Sequence, residues 1–230
     1  MANNYFDLTG VLILDKVTPV IEALFGPFKL DADYPGNGQA YIADIAEDNN
    51  TSWHAVADGL RELMRQLGLS LPEDAAHDVE RHLRVLAAHF GGGGNATLDA
   101  LIEQIAFADN ANLDALFAIA RCFDDGHGLK AFKTEASWRC DKPCLFEFGG
   151  SGEFCGRHLQ VHQSTDQVVS LGEDLEAALD AGDYGLAAER IRKTVDKVLA
   201  GFTDDSARQT VRARLADLLG ASQQLSDNPA

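Results

Sequence analysis

Four residues in the middle of the chain could together do metal chemistry. Cys140, Cys144, Cys155 and His158 offer three thiols and an imidazole, which by type make a tetrahedral zinc set. Their spacing argues against it. Three residues lie between the first pair of cysteines, where zinc-binding pairs favour two. On a continuous strand, Cys155 and His158 would face opposite sides of the sheet, so a bulge or knuckle at Gly156 would have to bring them together. The competing reading, small buried apolar side chains, is the common fate of cysteine in a core. No cofactor is therefore expected, with zinc on these four residues as the alternative.

A second group lies just upstream. Asp124, Asp125 and His127 sit around Gly126 and Gly128 at a helix-to-strand junction. Two carboxylates and an imidazole on such a loop could hold a divalent cation or exchange protons. Acids and glycine at a helix end are also ordinary loop chemistry, although two acids there oppose the helix dipole. Gly149-Gly150-Ser151-Gly152 superficially suggests a nucleophile elbow, but Glu153 stands where the closing glycine belongs, and the segment is read as a hairpin turn. His77, His82 and His89 fall on one helix at spacings that give no adjacent ligand pair, and are read as surface residues. His162, at a strand end, reads as a polar edge.

The elements around these residues change period at the centre. Up to Phe123 the apolar spacing is mainly helical; over Phe132–Cys140 it alternates, with Lys133, Glu135, Ser137 and Arg139 on the wet face. Strands are expected here, at Cys144–Phe148 and from Glu153 to His162, joined by tight turns into a three-stranded meander. Earlier, Val11–Leu14 is nearly continuous and reads as a buried strand. Gln39–Ile45 reads as another strand after the turn cluster Tyr34–Gly38.

Helices are expected at Pro19–Phe25 and at Trp53–Leu67, where Trp53, Val56, Leu60, Leu63, Met64 and Leu67 make one apolar stripe. Others are expected from about Pro72 to Phe90, around Leu98–Ile105 and around Leu113–Ala120. Gly91–Gly94 has no side chains to pack and reads as a hinge. It lacks the Lys and Ser/Thr of a phosphate loop. After Thr165 the chain is helical. Leu175–Leu199 is similar to one tetratricopeptide unit, with Ala188 at the close approach, but a single copy is a helix pair and not an array. The expected fold is α+β, with a mixed or antiparallel sheet that includes the meander, packed with about seven amphipathic helices. Residues 1–164 form the body, 165–221 a C-terminal helical segment packed on it, and 222–230 a frayed tail.

Charge narrows the function. The chain of 230 residues has a formal net charge of −17, unevenly spread. Up to Glu189 there are 31 acidic and 12 basic residues; from Arg190 onward, 5 acidic and 7 basic. Such a body repels a phosphate backbone and attracts basic partners. No apolar run approaches the roughly 18–20 residues of a membrane span, no leader is evident, and the unevenly spaced cysteines suit a reducing compartment, so a cytoplasmic location is expected. The reading is a non-enzymatic acidic protein acting by protein–protein contact, as an adaptor or as an inhibitor competing with nucleic acid for a basic surface. Asp44, Glu47, Asp48, Glu173, Asp174 and Glu176 are its candidate contact residues. The alternative is a metal-dependent enzyme or zinc-stabilised domain centred on the 122–162 stretch.

Overall fold

The run Val11–Leu14 closes a long strand, β1 (Asn4–Ile13), in the computed structural model, which describes residues 3–70, 78–90, 94–142, 145 and 147–226. β1 lies between β3 (Gln39–Ile45) and β4 (Ala131–Cys140), antiparallel to both, with Leu12 opposite Ala40 on one side and Phe132 on the other. β2 (Asp31–Pro35) pairs with the far side of β3. β5 (Phe148–Gly156) and β6 (Gln160–Ser164) complete an antiparallel sheet in the order β2-β3-β1-β4-β5-β6, which is not closed into a barrel. With eight α-helices among the described residues, the fold is α+β, as expected from the sequence.

The expectation that β1 is buried on both faces is corrected. Leu12 is fully buried, whereas its neighbours Val11 and Ile13 are only half-buried. The same alternation runs along β4, where Phe132 and Thr134 are buried while Lys133 and Glu135 are exposed. One face of the sheet is therefore covered and the other wetted, the pattern usual for antiparallel sheets.

The covering helices form for local reasons visible in the sequence. α1 (Pro19–Phe25) begins on proline, whose fixed φ suits a first turn, and buries Val20, Ile21, Leu24 and Phe25. α2 (Trp53–Gln66) is capped by Ser52, whose hydroxyl accepts the Ala55 N–H at 3.3 Å. Its stripe Trp53, Val56, Leu60, Leu63 and Met64 is buried, whereas Leu67, expected on the same stripe, caps the helix end and is only half-buried; α2 packs on α1. Asp78 caps α3 (Val79–His89), Asn95 caps α4 (Ala96–Gln104) and Asn112 caps α5 (Leu113–Ala120). Phe117 of α5 meets Phe132 of β4 edge to face, ring centres 5.7 Å apart, which seats α5 on the sheet. The expected helix start near Pro72 lies outside the described residues, as do residues 91–93 of the glycine run. His82, expected at the surface, is buried. It falls on the stripe of Val79, Leu83 and Leu86, and its ring bonds the Asp78 carbonyl at 2.6 Å.

The glycines after Phe148 do not make a turn. β5 runs straight through Gly149–Gly152, and the reversal comes instead at Arg157–His158. The cause lies in the neighbouring strand. A Cβ on Gly149 would stand 2.3 Å from the Trp138 indole, and one on Gly150 would stand 2.9 Å from the Ala136 carbonyl oxygen. Glycine within a strand often marks such a close approach. Cys144 and Phe146, of the strand expected there, lie outside the described residues.

The chain divides into two compact units, Met1–Gly152 and Glu153–Ala230, so the division falls inside β5. The second unit carries α6 (Thr165–Asp180), α7 (Tyr184–Ala200) and α8 (Asp205–Ser226). Gly182, with φ of +68°, ends α6, and Asp183 caps α7 by accepting the Leu186 N–H at 2.9 Å. The buried small residue of α7 is Ala187 and not its neighbour Ala188, which is exposed.

Candidate functional site

Asp124, Asp125 and His127 follow directly from α5, whose last turn hands the chain to β4. Asp124 is exposed. Gly126 and Gly128, with φ of +83° and +57°, turn the loop so that His127 points inward, where it is 5% exposed. Its Nδ1 accepts the Leu129 N–H at 2.7 Å, and its Nε2 lies 3.0 Å from the Ala120 carbonyl oxygen. A main-chain N–H only donates and a carbonyl only accepts, so the ring is neutral with its proton on Nε2. Both nitrogens are used, and the imidazole ties the end of α5 to the start of β4. The Asp125 side chain is 3% exposed; its Oδ1 accepts the His127 N–H at 3.3 Å and lies 3.8 Å from His127 Nε2. On the other side of the loop, Asp15 pairs with Lys130 at 2.6 Å and its main-chain N–H donates to the His127 carbonyl at 2.9 Å.

Cys122, Cys140 and Cys155 are all buried. The Cys122 thiol donates to the Ala118 carbonyl at 3.4 Å, and burial pushes its pKa up against the opposing charge of Arg121. Such a thiol is a poor nucleophile. His158 is exposed in the reversal between β5 and β6, and Cys144 lies outside the described residues. Among the described residues, no three or more His, Cys, Asp or Glu side chains are arranged to hold a metal ion.

The candidate contact acids occupy different settings. Asp44 is half-buried at the end of β3, its Oδ2 accepting the Thr51 hydroxyl at 3.2 Å. Burial raises its carboxyl pKa, the Thr51 bond works against that rise, and the charge of Asp7 adds to it. Glu47 is exposed with φ of +65°, and Asp48 pairs with Lys29. In the second unit Glu173 and Glu176 are exposed, and Asp174 pairs with Arg190 at 3.3 Å.

Two features escaped the sequence reading. At the end of β1 and β4 a cleft of about 240 Å³ is lined by Tyr5, Phe6, Trp138 and Arg139, with the Arg139 guanidinium 4.7 Å from the Tyr5 ring centre. The second is a groove of about 540 Å³ within the second unit, between β6, α6 and α7. Its α6 wall carries Asp166 and Asp174; its α7 wall carries Arg190, Lys193 and Lys197. The Ser164 hydroxyl, bonding the Asp166 carboxylate, holds that group below the usual carboxylate range, with main-chain N–H groups of the first helical turn and the Lys197 charge adding to the effect. Gly201 shapes one end of the groove, since a Cβ there would stand 1.9 Å from the Gln160 carbonyl oxygen. The basic excess from Arg190 onward was visible in the sequence. What it faces was not, because that depends on how β6 returns against the end of α7.

Among the described residues no helix is long and apolar enough to cross a membrane. Set against family models, curated proteins and solved structures, the chain matches none.

Proposed function

We propose that the chain works without catalysis, by binding another protein on the helices of its second unit. One observation carries the reading. Of the apolar side chains on α6, α7 and α8, only Ala178, Ala187 and Leu199 are buried among the described residues. Val168 and Val169 on α6 are 57% and 51% exposed, Tyr184 and Ile191 on α7 are 73% and 53% exposed, and Leu218 and Leu219 on α8 are 68% and 65% exposed. Large apolar side chains left open in such numbers mark interaction surfaces more often than they decorate a monomer. On α6 they share the helix with Glu173, Glu176 and Asp180, so the favoured partner presents apolar residues beside basic ones. A protein surface that otherwise holds nucleic acid has that character. The acids would speed encounter and select the partner, while apolar burial would supply the affinity.

The test is capture of a partner by the full chain, by Val169→Asp and by Glu173→Lys combined with Glu176→Lys. Wild type should retain a partner that the first variant loses at any salt. The charge-reversed variant should lose it chiefly by slower association. Raising salt from about 0.01 M to about 0.15 M, which shortens the Debye length from ~30 Å to ~8 Å, should slow wild-type association. Retention indifferent to both variants and to salt would overturn the reading and leave the acidity as a solubility device.

A further inference from the structure

We propose that the groove beside β6 is a docking site for an extended peptide strand carrying one carboxylate side chain. This goes beyond the apolar helix faces and uses none of the residues argued for them.

β6 is the last strand of the sheet, so among the described residues no strand pairs with its outer edge. The direction of its main-chain groups follows from three bonds. The Gln160 N–H donates to the Gly201 carbonyl at 2.9 Å, and the His158 carbonyl accepts the Thr203 N–H at 3.1 Å. Leu159, between them, gives its carbonyl to the Gly156 N–H of β5 at 2.9 Å. Residues 158 and 160 thus turn their main-chain groups away from β5. The two-residue period of a strand turns those of His162 the same way. Gln160, Val161, His162 and Gln163 of β6 line the groove, together with Gly201. An open strand edge beside a partly apolar groove is a template for a further strand. Here His162 supplies an N–H and a carbonyl, and Val161 and Leu171 supply apolar surface.

The charges select the occupant. Arg190, Lys193 and Lys197 are spaced three and four residues apart and line one face of α7. Two of them already answer acids of the facing helix: Arg190 lies 3.3 Å from Asp174, and the Lys197 charge acts on Asp166. Among the described residues Lys193 pairs only with Glu189 on its own helix, at 3.4 Å, and the two side chains are 54% and 50% exposed. Exposed pairs of that kind hold weakly, so an incoming carboxylate can take Lys193 from Glu189. A polyanion is disfavoured by the −17 of the whole chain. A strand with a single aspartate or glutamate satisfies both conditions.

The experiment uses the full chain, labelled for amide NMR, and a peptide of alternating valine and threonine with one central glutamate and blocked ends. Three controls accompany it: the same peptide with lysine for glutamate, the same peptide N-methylated along one edge, and the protein variant Lys193→Glu combined with Lys197→Glu. The glutamate peptide should shift the amide signals of His162 and its neighbours. The lysine peptide and the doubly reversed protein should each bind about tenfold more weakly or worse, as loss of a charge contact predicts. The N-methylated peptide should not bind, and neither should the peptide to His162→Pro, which removes the donor on the strand edge. If that variant does not fold, the N-methylated peptide asks the same question from the other side. Equal binding of the glutamate and lysine peptides, unchanged binding of the N-methylated one, or shifts that spare His162 would overturn the proposal. None of these outcomes bears on partner capture through Val169, so the two readings fail separately.

Discussion

Gly59 of α2 lies against the main chain of Ala23 in α1: a Cβ built on it would stand 2.5 Å from the Ala23 carbonyl oxygen. Glycine inside a helix ordinarily costs about 1 kcal/mol relative to alanine. Here it allows α1 and α2 to approach more closely than any other residue permits. Gly59→Ala should therefore destabilise the first unit, by about 1–3 kcal/mol through overpacking, despite the gain in helix propensity. Urea melts check this, and a raised midpoint would show that the two helices can separate at no cost.

Much of the first unit was legible because its causes are local. The stripe of α2 has helical spacing and is buried from Trp53 to Met64, with Leu67 only half-buried at the helix end, and Ser52 and Asn112 cap helices as their side chains predict. Where the reading failed, the cause was distant in sequence. Gly149–Gly152 has the composition of a turn, and nothing near it announces that the Trp138 ring lies across Gly149. The edge groove was hidden in the same way. Its walls were both read as helices, but the bond from Gln160 to Gly201 that sets them around β6 joins residues far apart in the chain.

That account of β5 can be checked directly. Gly149→Ala should shift the fluorescence of Trp138 and destabilise the fold by about 1–3 kcal/mol, since the added methyl meets the ring. In a Trp138→Val background the same substitution should cost much less, because the obstructing atoms are gone. A coupling of about 0.5–3 kcal/mol between the two sites is the expected result of the double-mutant cycle. Additive effects would mean that the glycine is needed for some other reason.

His127 offers a test of whether the loop after α5 is a structural clamp. Leu129 is 1% exposed, and its N–H is satisfied by His127 Nδ1. His127→Ala leaves that donor buried and unpaired, at a cost of about 1–3 kcal/mol. Hydrogen exchange should localise the damage, with the Leu129 amide losing protection before the amides of α2. Stability unchanged from wild type would show that the ring's two bonds contribute nothing to holding α5 against β4.

Asp44 makes the pH dependence of the fold specific. Its carboxyl pKa is raised in the folded state, by burial first and by the Asp7 charge in addition, against the opposing bond from Thr51. A raised carboxyl means that the folded state holds its proton more tightly than the unfolded chain does. Its contribution therefore favours folding when the group is protonated and is lost as pH rises from the ordinary carboxylate range through the raised folded value. Near neutral pH the charged form is a net burden, even though Thr51 bonds it. Asp44→Asn keeps an oxygen for the Thr51 hydroxyl at 3.2 Å and removes the charge. The variant should be more stable than wild type at about pH 7, with the difference closing towards about pH 3, below the ordinary aspartate pKa of ~3.9. Paired urea melts at the two pH values measure it. A variant that is less stable at neutral pH would show that the Thr51 bond to a full charge outweighs desolvation, and that Asp44 is held ionised by its site.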